Sequence, residues 1–365
     1  MRSTARPDSN ISALVTLGAL LSLGCVMLEG STDGARRGDS AGGSALAPAA
    51  GSTGSSSGGR PAAGAPGGAG ASTDAGGSGT SGSAGGSPGS AGTTAGGSPS
   101  AADGGLPIGT FGNTTCLNAD GARTMDTYAL IATVLGGEPI ENPDLDHDPP
   151  MRHVWEDSDA SVGDHFVFAL HRDIDLDGAN TDRQRVEIKT YDPSPNALKG
   201  FQDQTMAFSW RFQVNAEMGF SASFTHLFQL KAVDGDDDTP LITLSGATRD
   251  GDDRLEIRHS ASSGQDVIAD ASWDGLRGQW LDVRVQVTFA ESGALALSVS
   301  DAAGAEVLSV SRNLDLWRDG ASYVRPKWGI YRSLLDKDQL RAEEETVRFA
   351  NIAITSGPEP SSTCR

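Results

Sequence analysis

Between residues 166 and 354 apolar and polar side chains alternate mostly with period two. A strand sends successive side chains to opposite faces, so this alternation predicts strands at 166–171, 207–213, 220–231, 241–244, 255–258, 280–289, 294–299 and 347–354. Asp234-Gly235-Asp236, Asp250-Gly251-Asp252, Ser292-Gly293 and Ala303-Gly304 punctuate the pattern, as the tight turns of antiparallel hairpins require. Helical periodicity is confined to 127–135 and 334–345. Short strands, hairpin punctuation and little helix predict an all-β domain, with a jelly-roll β-sandwich as the best fit.

Upstream the pattern stops. Residues 26–105 are nearly all Gly, Ala, Ser, Thr and Pro. Such a segment has nothing to bury against the entropy of ordering it, which predicts a disordered tether. Before it, Arg2 and Arg6 precede an apolar stretch from Ile11 to Leu23, too short to span a bilayer and typical of an export signal. Gly24-Cys25 resembles the lipobox of bacterial lipoproteins, which implies a lipidated Cys25. Ser22 stands where lipoboxes favour Leu, so a plain secretory signal is the alternative. Either way residues 106–365 are expected to form one extracytoplasmic domain. It would be a monomer, secreted or held at the outer membrane or cell surface, with membrane contact only through the lipid anchor.

Charge narrows the partners. The formal net charge is −20, and residues 1–105 hold six acids against five arginines, so −19 falls on the domain. Nucleic acid and anionic membrane surfaces are poor partners for such a balance, since phosphate binding needs clustered cations. An acidic polysaccharide stays compatible, because a local row of Arg and Lys can set the field inside one cleft. With Cys25 in the leader, Cys116 and Cys364 remain at opposite ends of an exported domain. They are expected to form a disulfide, which in the chain-entropy model stabilises by about 4–5 kcal/mol; two free thiols are the alternative.

Three segments combine strand alternation with polar chemistry. In the first, Arg183, Arg185, Glu187, Lys189 and Tyr191 share one face and Gln184, Val186 and Ile188 the other. A solvated sheet face would look the same. The second, 226–231, puts Gln229 and Lys231 on one face, while His226 shares parity with Phe224, Phe228 and Leu230 as a core histidine would. A bulge near Leu227 would turn His226 and Gln229 to one face. The third, 325–332, puts Lys327, Gly329 and Tyr331 together, and a glycine inside a strand marks a close approach of ligand or backbone.

In this order the segments resemble the R-x-E, Q-x-H and K-x-G-x-Y strands of the jelly-roll polysaccharide lyases, the group that includes alginate lyases, glucuronan lyases and heparin lyase I. The resemblance implies a concanavalin A-like jelly roll and β-elimination on a uronic-acid polymer. It implies that Arg185 binds the substrate carboxylate, that Glu187 holds Arg185 and that Tyr331 is the catalytic acid and base. Elimination removes a proton beside a carboxylate, so that carboxylate must first be neutralised. Arg185, Gln229 and Lys327 offer the charges and donors for that, and Tyr331, alone or with His226, offers proton transfer. Arg183, Glu187, Lys189, Lys231 and Lys327 are the expected substrate-binding residues.

No cofactor is required by this chemistry. Asp173, Asp175, Asp177 and Gly178 have the D-x-D-x-D-G spacing of a calcium loop, which leaves a structural calcium open, but the twelfth position is Gln184 and lacks the bidentate Glu. His147, His153, His165 and His171 show no metal-binding spacing, and no metal ligand is assigned; His153 and His171 are near the first strands, where they can line the groove. Two rivals remain. A glycoside hydrolase of this shape would carry E-x-D-x-x-E, which is absent. A non-catalytic carbohydrate-binding domain would stack sugars on Trp155, Trp210, Trp273, Trp317 and Trp328.

Overall fold

The computed structural model describes residues 109–111, 113–261, 264–358 and Cys364. The leader, Cys25 and the tether lie outside the described residues. Along the chain come β1 (Gly109–Phe111), β2 (Thr114–Leu117), helix α1 (Thr127–Leu135), β3 (Ile140–Glu141), β4 (Val154–Asp159), β5 (Gly163–Leu170) and β6 (Arg183–Lys189). Then follow β7 (Thr205–Val214), β8 (Thr225–Val233), β9 (Ile242–Arg249), β10 (Asp252–His259) and β11 (Asp266–Ser272). The last strands are β12 (Leu281–Thr288), β13 (Gly293–Ser300), β14 (Glu306–Leu314), β15 (Tyr323–Ser333) and β16 (Glu345–Ser356).

These strands make a jelly-roll sandwich of two antiparallel sheets. One sheet runs β1-β2-β16-β7-β12-β13-β14, with β5 also paired to β16 and β4 to β5. The other runs β11-β10-β9-β8-β15-β6-β3. Between them lies an aromatic core. Trp210 and Phe208 on β7 meet Phe228 on β8 and Trp328 on β15, with Trp210 and Phe228 ring centroids 4.4 Å apart. Burying such rings removes the most apolar area per residue, roughly 150–250 Å² each. Trp210, Trp273 and Trp328 are therefore core residues, each 2% exposed or less, and not sugar platforms.

Helix α1 spans the expected residues and is capped by Asp126, whose side chain accepts from the backbone N–H groups of Tyr128 and Ala129. The second expected helix does not form. Within 334–345 there is a single 3-10 turn, Lys337–Gln339, because five of the twelve residues are acids, Leu334, Leu335 and Leu340 are the only large apolar side chains, and that spacing gives a helix no continuous face to bury. The strand expected at 220–231 begins only at Thr225. Phe220 leaves the strand path to stack on Trp273 and press against Gly246, where a Cβ would lie 2.2 Å from the ring. The disulfide pairs Cys116 on β2 with Cys364, tying the domain's two ends together across 248 positions.

Candidate active site

The outward face of the seven-stranded sheet carries the polar segments in rows that the strand register sets. Arg185 on β6 lies opposite Tyr331 on β15, which lies opposite His226 on β8 and then Ser245 on β9. On β6 and β15 the pair Glu187 and Gly329 comes next, and then the row of Lys189, Lys327, Gln229 and Thr243. His226 and Gln229 fall on one face because the pairing slips around Leu227, between His226 and Phe228 against β9 and between Trp328 and Tyr331 against β15. One extra residue reverses the parity that strand alternation gives His226.

Gly329 sits where the slip occurs. Its φ is 148°, and an added Cβ would lie 2.1 Å from the Val186 carbonyl oxygen and 2.6 Å from the Glu187 Cα. The close partner is therefore the β6 backbone. Tyr191 lies beyond the end of β6 and does not join the row; its hydroxyl accepts from the Glu138 N–H.

Lys189 and Lys327 are buried and Arg185 half-buried, and each is matched by carboxylates. Lys327 Nζ lies 2.8 Å from Glu187 Oε2 and 2.6 Å from Glu141 Oε2. Gln229 Nε2 donates to Glu187 Oε1 at 2.5 Å. Arg185 reaches Glu141 at 3.1 Å, Asp177 at 3.1 Å and Glu187 at 3.7 Å, and its guanidinium lies over the Tyr331 ring, 4.2 Å from the centroid. Lys189 also binds Glu141, at 2.8 Å. Burial opposes the Glu141 charge, yet Lys327, Arg185, Lys189 and Arg325 hold its carboxyl well below the usual range. Burial and Arg185 pull the Lys327 ammonium down, against Glu141 and Glu187.

Tyr331 and His226 have a distinct environment. Tyr331 is 5% exposed and its hydroxyl accepts from Arg183 Nη1 at 2.9 Å. The His226 ring centroid is 5.9 Å from that of Tyr331, and Phe224 stacks on His226 at 4.9 Å. Burial, with Arg258, Lys327, Lys231 and Arg185 nearby, holds the His226 imidazole well below its usual pKa, so it is neutral. Ser245 donates its hydroxyl to Thr243 Oγ1 at 2.9 Å, so His226 Nδ1 donates to Ser245 Oγ at 2.8 Å. His226 Nε2 is left as a buried acceptor with no hydrogen-bond partner among the described residues. Lys231 continues the same face and lies opposite Arg325.

Sequence reasoning missed Glu141 and Asp177, the carboxylates that hold Arg185. Glu141 lies on a two-residue strand, too short for any periodic signal, and Asp177 read as part of a calcium loop. That loop does not converge. Asp173 binds Arg172 and Lys337, and Asp177 binds Asn180 and Arg185. Asp175 turns inward to His147, His153 and His171. Gln184, the twelfth position, donates to the carbonyls of His171, Arg172 and Asp175. His153 and His171, expected near the groove, gather instead around Asp175, while His165 packs against Trp280.

Solved structures similar to this chain are polysaccharide lyases. An endo-β-1,4-glucuronan lyase from the fungus Trichoderma reesei matches at 14% identity and a TM-score of 0.40, over 56% of this chain and 86% of its own. An alginate lyase from Pseudomonas aeruginosa matches at 15% and 0.41, over 60% and 96%. One from Klebsiella pneumoniae matches at 11% and 0.41, over 57% and 87%. No protein-family model and no curated protein matches the chain.

Proposed function

We propose that this protein is a polysaccharide lyase that cleaves a uronic-acid-containing polysaccharide by β-elimination. The observation that carries this reading is the row of Arg185, Tyr331 and a neutral His226 beside the row of Lys327 and Gln229, on one sheet face. Arg185, Gln229 and Lys327 offset the charge of the uronate carboxylate and stabilise the enolate as it forms. Acting as a phenolate, the Tyr331 oxygen, which accepts a hydrogen bond from Arg183 while Arg185 covers its ring, takes the C5 proton. The C4–O bond then breaks, a C4–C5 double bond forms, and Tyr331 returns a proton to the leaving glycosidic oxygen. Atoms balance without a cofactor.

In this reading Glu187 and Glu141 are positioning residues that space the cations. Export, with Cys25 as a lipid anchor and residues 26–105 as a tether, would set the domain where polymers are met. A panel of alginate, glucuronan, heparin and pectin, followed by the ultraviolet absorbance of an unsaturated uronate, tests the proposal. Polymer binding with no unsaturated ends would replace it with the carbohydrate-binding reading, which the burial of Trp210, Trp273, Trp317 and Trp328 already deprives of four of its five platforms.

A further inference from the structure

A second cluster lies outside the groove rows. His147 and His153 come from the connection between β3 and β4, His171 and Asp175 from that between β5 and β6. One donor atom from each of the four lies within 4.8 Å of every other. Asp175 Oδ1 is 2.7 Å from His147 Nε2 and 3.2 Å from His153 Nε2, and Asp175 Oδ2 is 3.2 Å from His171 Nδ1. Asp175 and His153 are fully buried, and His153 Nε2 makes no hydrogen bond.

The rings have the spacing of ligands around a common centre. A zinc–nitrogen distance of about 2.05 Å puts each imidazole centroid about 3.2 Å from the metal, so two rings at the tetrahedral angle sit about 5.2 Å apart. The three observed centroid separations are 4.9, 5.0 and 5.5 Å, and the rings are tilted at 47°, 71° and 82° to one another. The outward nitrogens are backed by carboxylates. His153 Nδ1 meets Asp144 Oδ1 at 2.9 Å, and His171 Nε2 lies 3.3 Å from Glu344. Asp144 is fixed in turn by the Tyr128 hydroxyl at 2.8 Å. A carboxylate behind a ligating histidine sets its tautomer and raises its basicity.

We propose that His147, His153, His171 and Asp175 form a structural zinc site that ties the 142–153 and 171–182 connections together. Three imidazoles and one carboxylate suit zinc, whereas calcium takes oxygen ligands. Four protein ligands close the coordination shell, as in structural and not catalytic sites. The segment so fixed carries Asp177, which holds Arg185. The site itself does not depend on the lyase reading.

The test is titration of the chelator-treated full chain with Co(II) and then Zn(II). One equivalent of Co(II) with the visible spectrum of a tetrahedral site, displaced by Zn(II), and a Tm rise of roughly 5–10 °C are expected. His147→Gln, at the partly exposed rim, should weaken Co(II) binding by at least roughly 10²-fold, and Asp144→Asn, behind His153, by about 10–100-fold. Circular dichroism checks that both variants fold, and either one folded with weakened binding supports the assignment. Asp173→Asn should leave binding unchanged, since Asp173 points away to Arg172 and Lys337. No stoichiometric Co(II) uptake, an octahedral spectrum, full binding by folded His147→Gln, or a Tm rise with Ca(II) that Asp173→Asn abolishes would each overturn the proposal.

Discussion

β15 and β12 are written with the same period-two alternation and meet opposite fates. On β12, Val283, Val285 and Val287 are buried while Arg284 and Gln286 stand in solvent. On β15 every residue is buried, Lys327 and Tyr331 included. The polar half of β12 is hydrated and contributes little, as on many antiparallel sheets. The polar half of β15 has lost its water and must be matched atom by atom, because an unpaired charge there costs several kcal/mol. For Lys327, Glu141 and Glu187 provide that matching. A desolvated row of alternating charge is poor design for stability and good design for polarising a bound anion.

The comparison can be broken by experiment. Removing one member of the matched network should be the costliest change. We expect Glu187→Gln to destabilise by about 3–5 kcal/mol in urea denaturation, since it removes a counter-charge from buried Lys327 and turns an amide donor toward either Lys327 or the donating Gln229. A loss under 1 kcal/mol would mean that the row is hydrated like β12.

Tyr331→Phe removes one hydroxyl and keeps the ring under Arg185. It should lower turnover on a uronate polymer by at least roughly 10²-fold, about 2.7 kcal/mol, with polymer affinity largely retained. Near-wild-type turnover would remove Tyr331 from the reaction.

A smaller effect is expected from pH. The folded pKa of His226 is depressed, so its neutral form contributes stability that is full above the unfolded value of about 6.5 and is lost as pH falls toward the folded value. The slope from one such group is at most about 1.4 kcal/mol per pH unit. Urea midpoints measured between pH 7 and 5 should therefore be compared between wild type and His226→Gln, and the variant should show the shallower fall. Identical slopes would mean that His226 is hydrated. The smallest change should come from β12, where Arg284→Ala is expected to stay within about 0.5 kcal/mol in the same assay and to leave turnover unaltered.

Much of the sandwich was legible because burying one face of an antiparallel strand is a local demand. The period-two runs of β5, β7, β12, β13 and β16 carry it in their own residues. The short strands β1, β2 and β4 escaped, and so did strands that satisfy it only in part. β11 is exposed or half-buried throughout, β14 has mostly polar positions, and β3 is two residues long. For the site, R-x-E placed Arg185 with Glu187 and K-x-G-x-Y placed Lys327 with Tyr331, and the two pairs share a face because β6 and β15 pair without a register shift. Across strands the sequence left two outcomes open. By parity alone His226 would be a core residue, and the slip at Leu227, one of the two outcomes the spacing allowed, turned it beside Tyr331.

By itself, then, the sequence determined which residues alternate, where turns break the chain, where α1 lies, and which side chains share a strand face, because each follows from spacing along one segment. The tertiary structure decided which polar face is dry, that Glu141 and Asp177 hold Arg185, that Gly329 yields to the β6 backbone, and that four residues from two connections meet at Asp175. Register and loop closure set those outcomes, and both depend on partners dozens to nearly two hundred residues away in the chain.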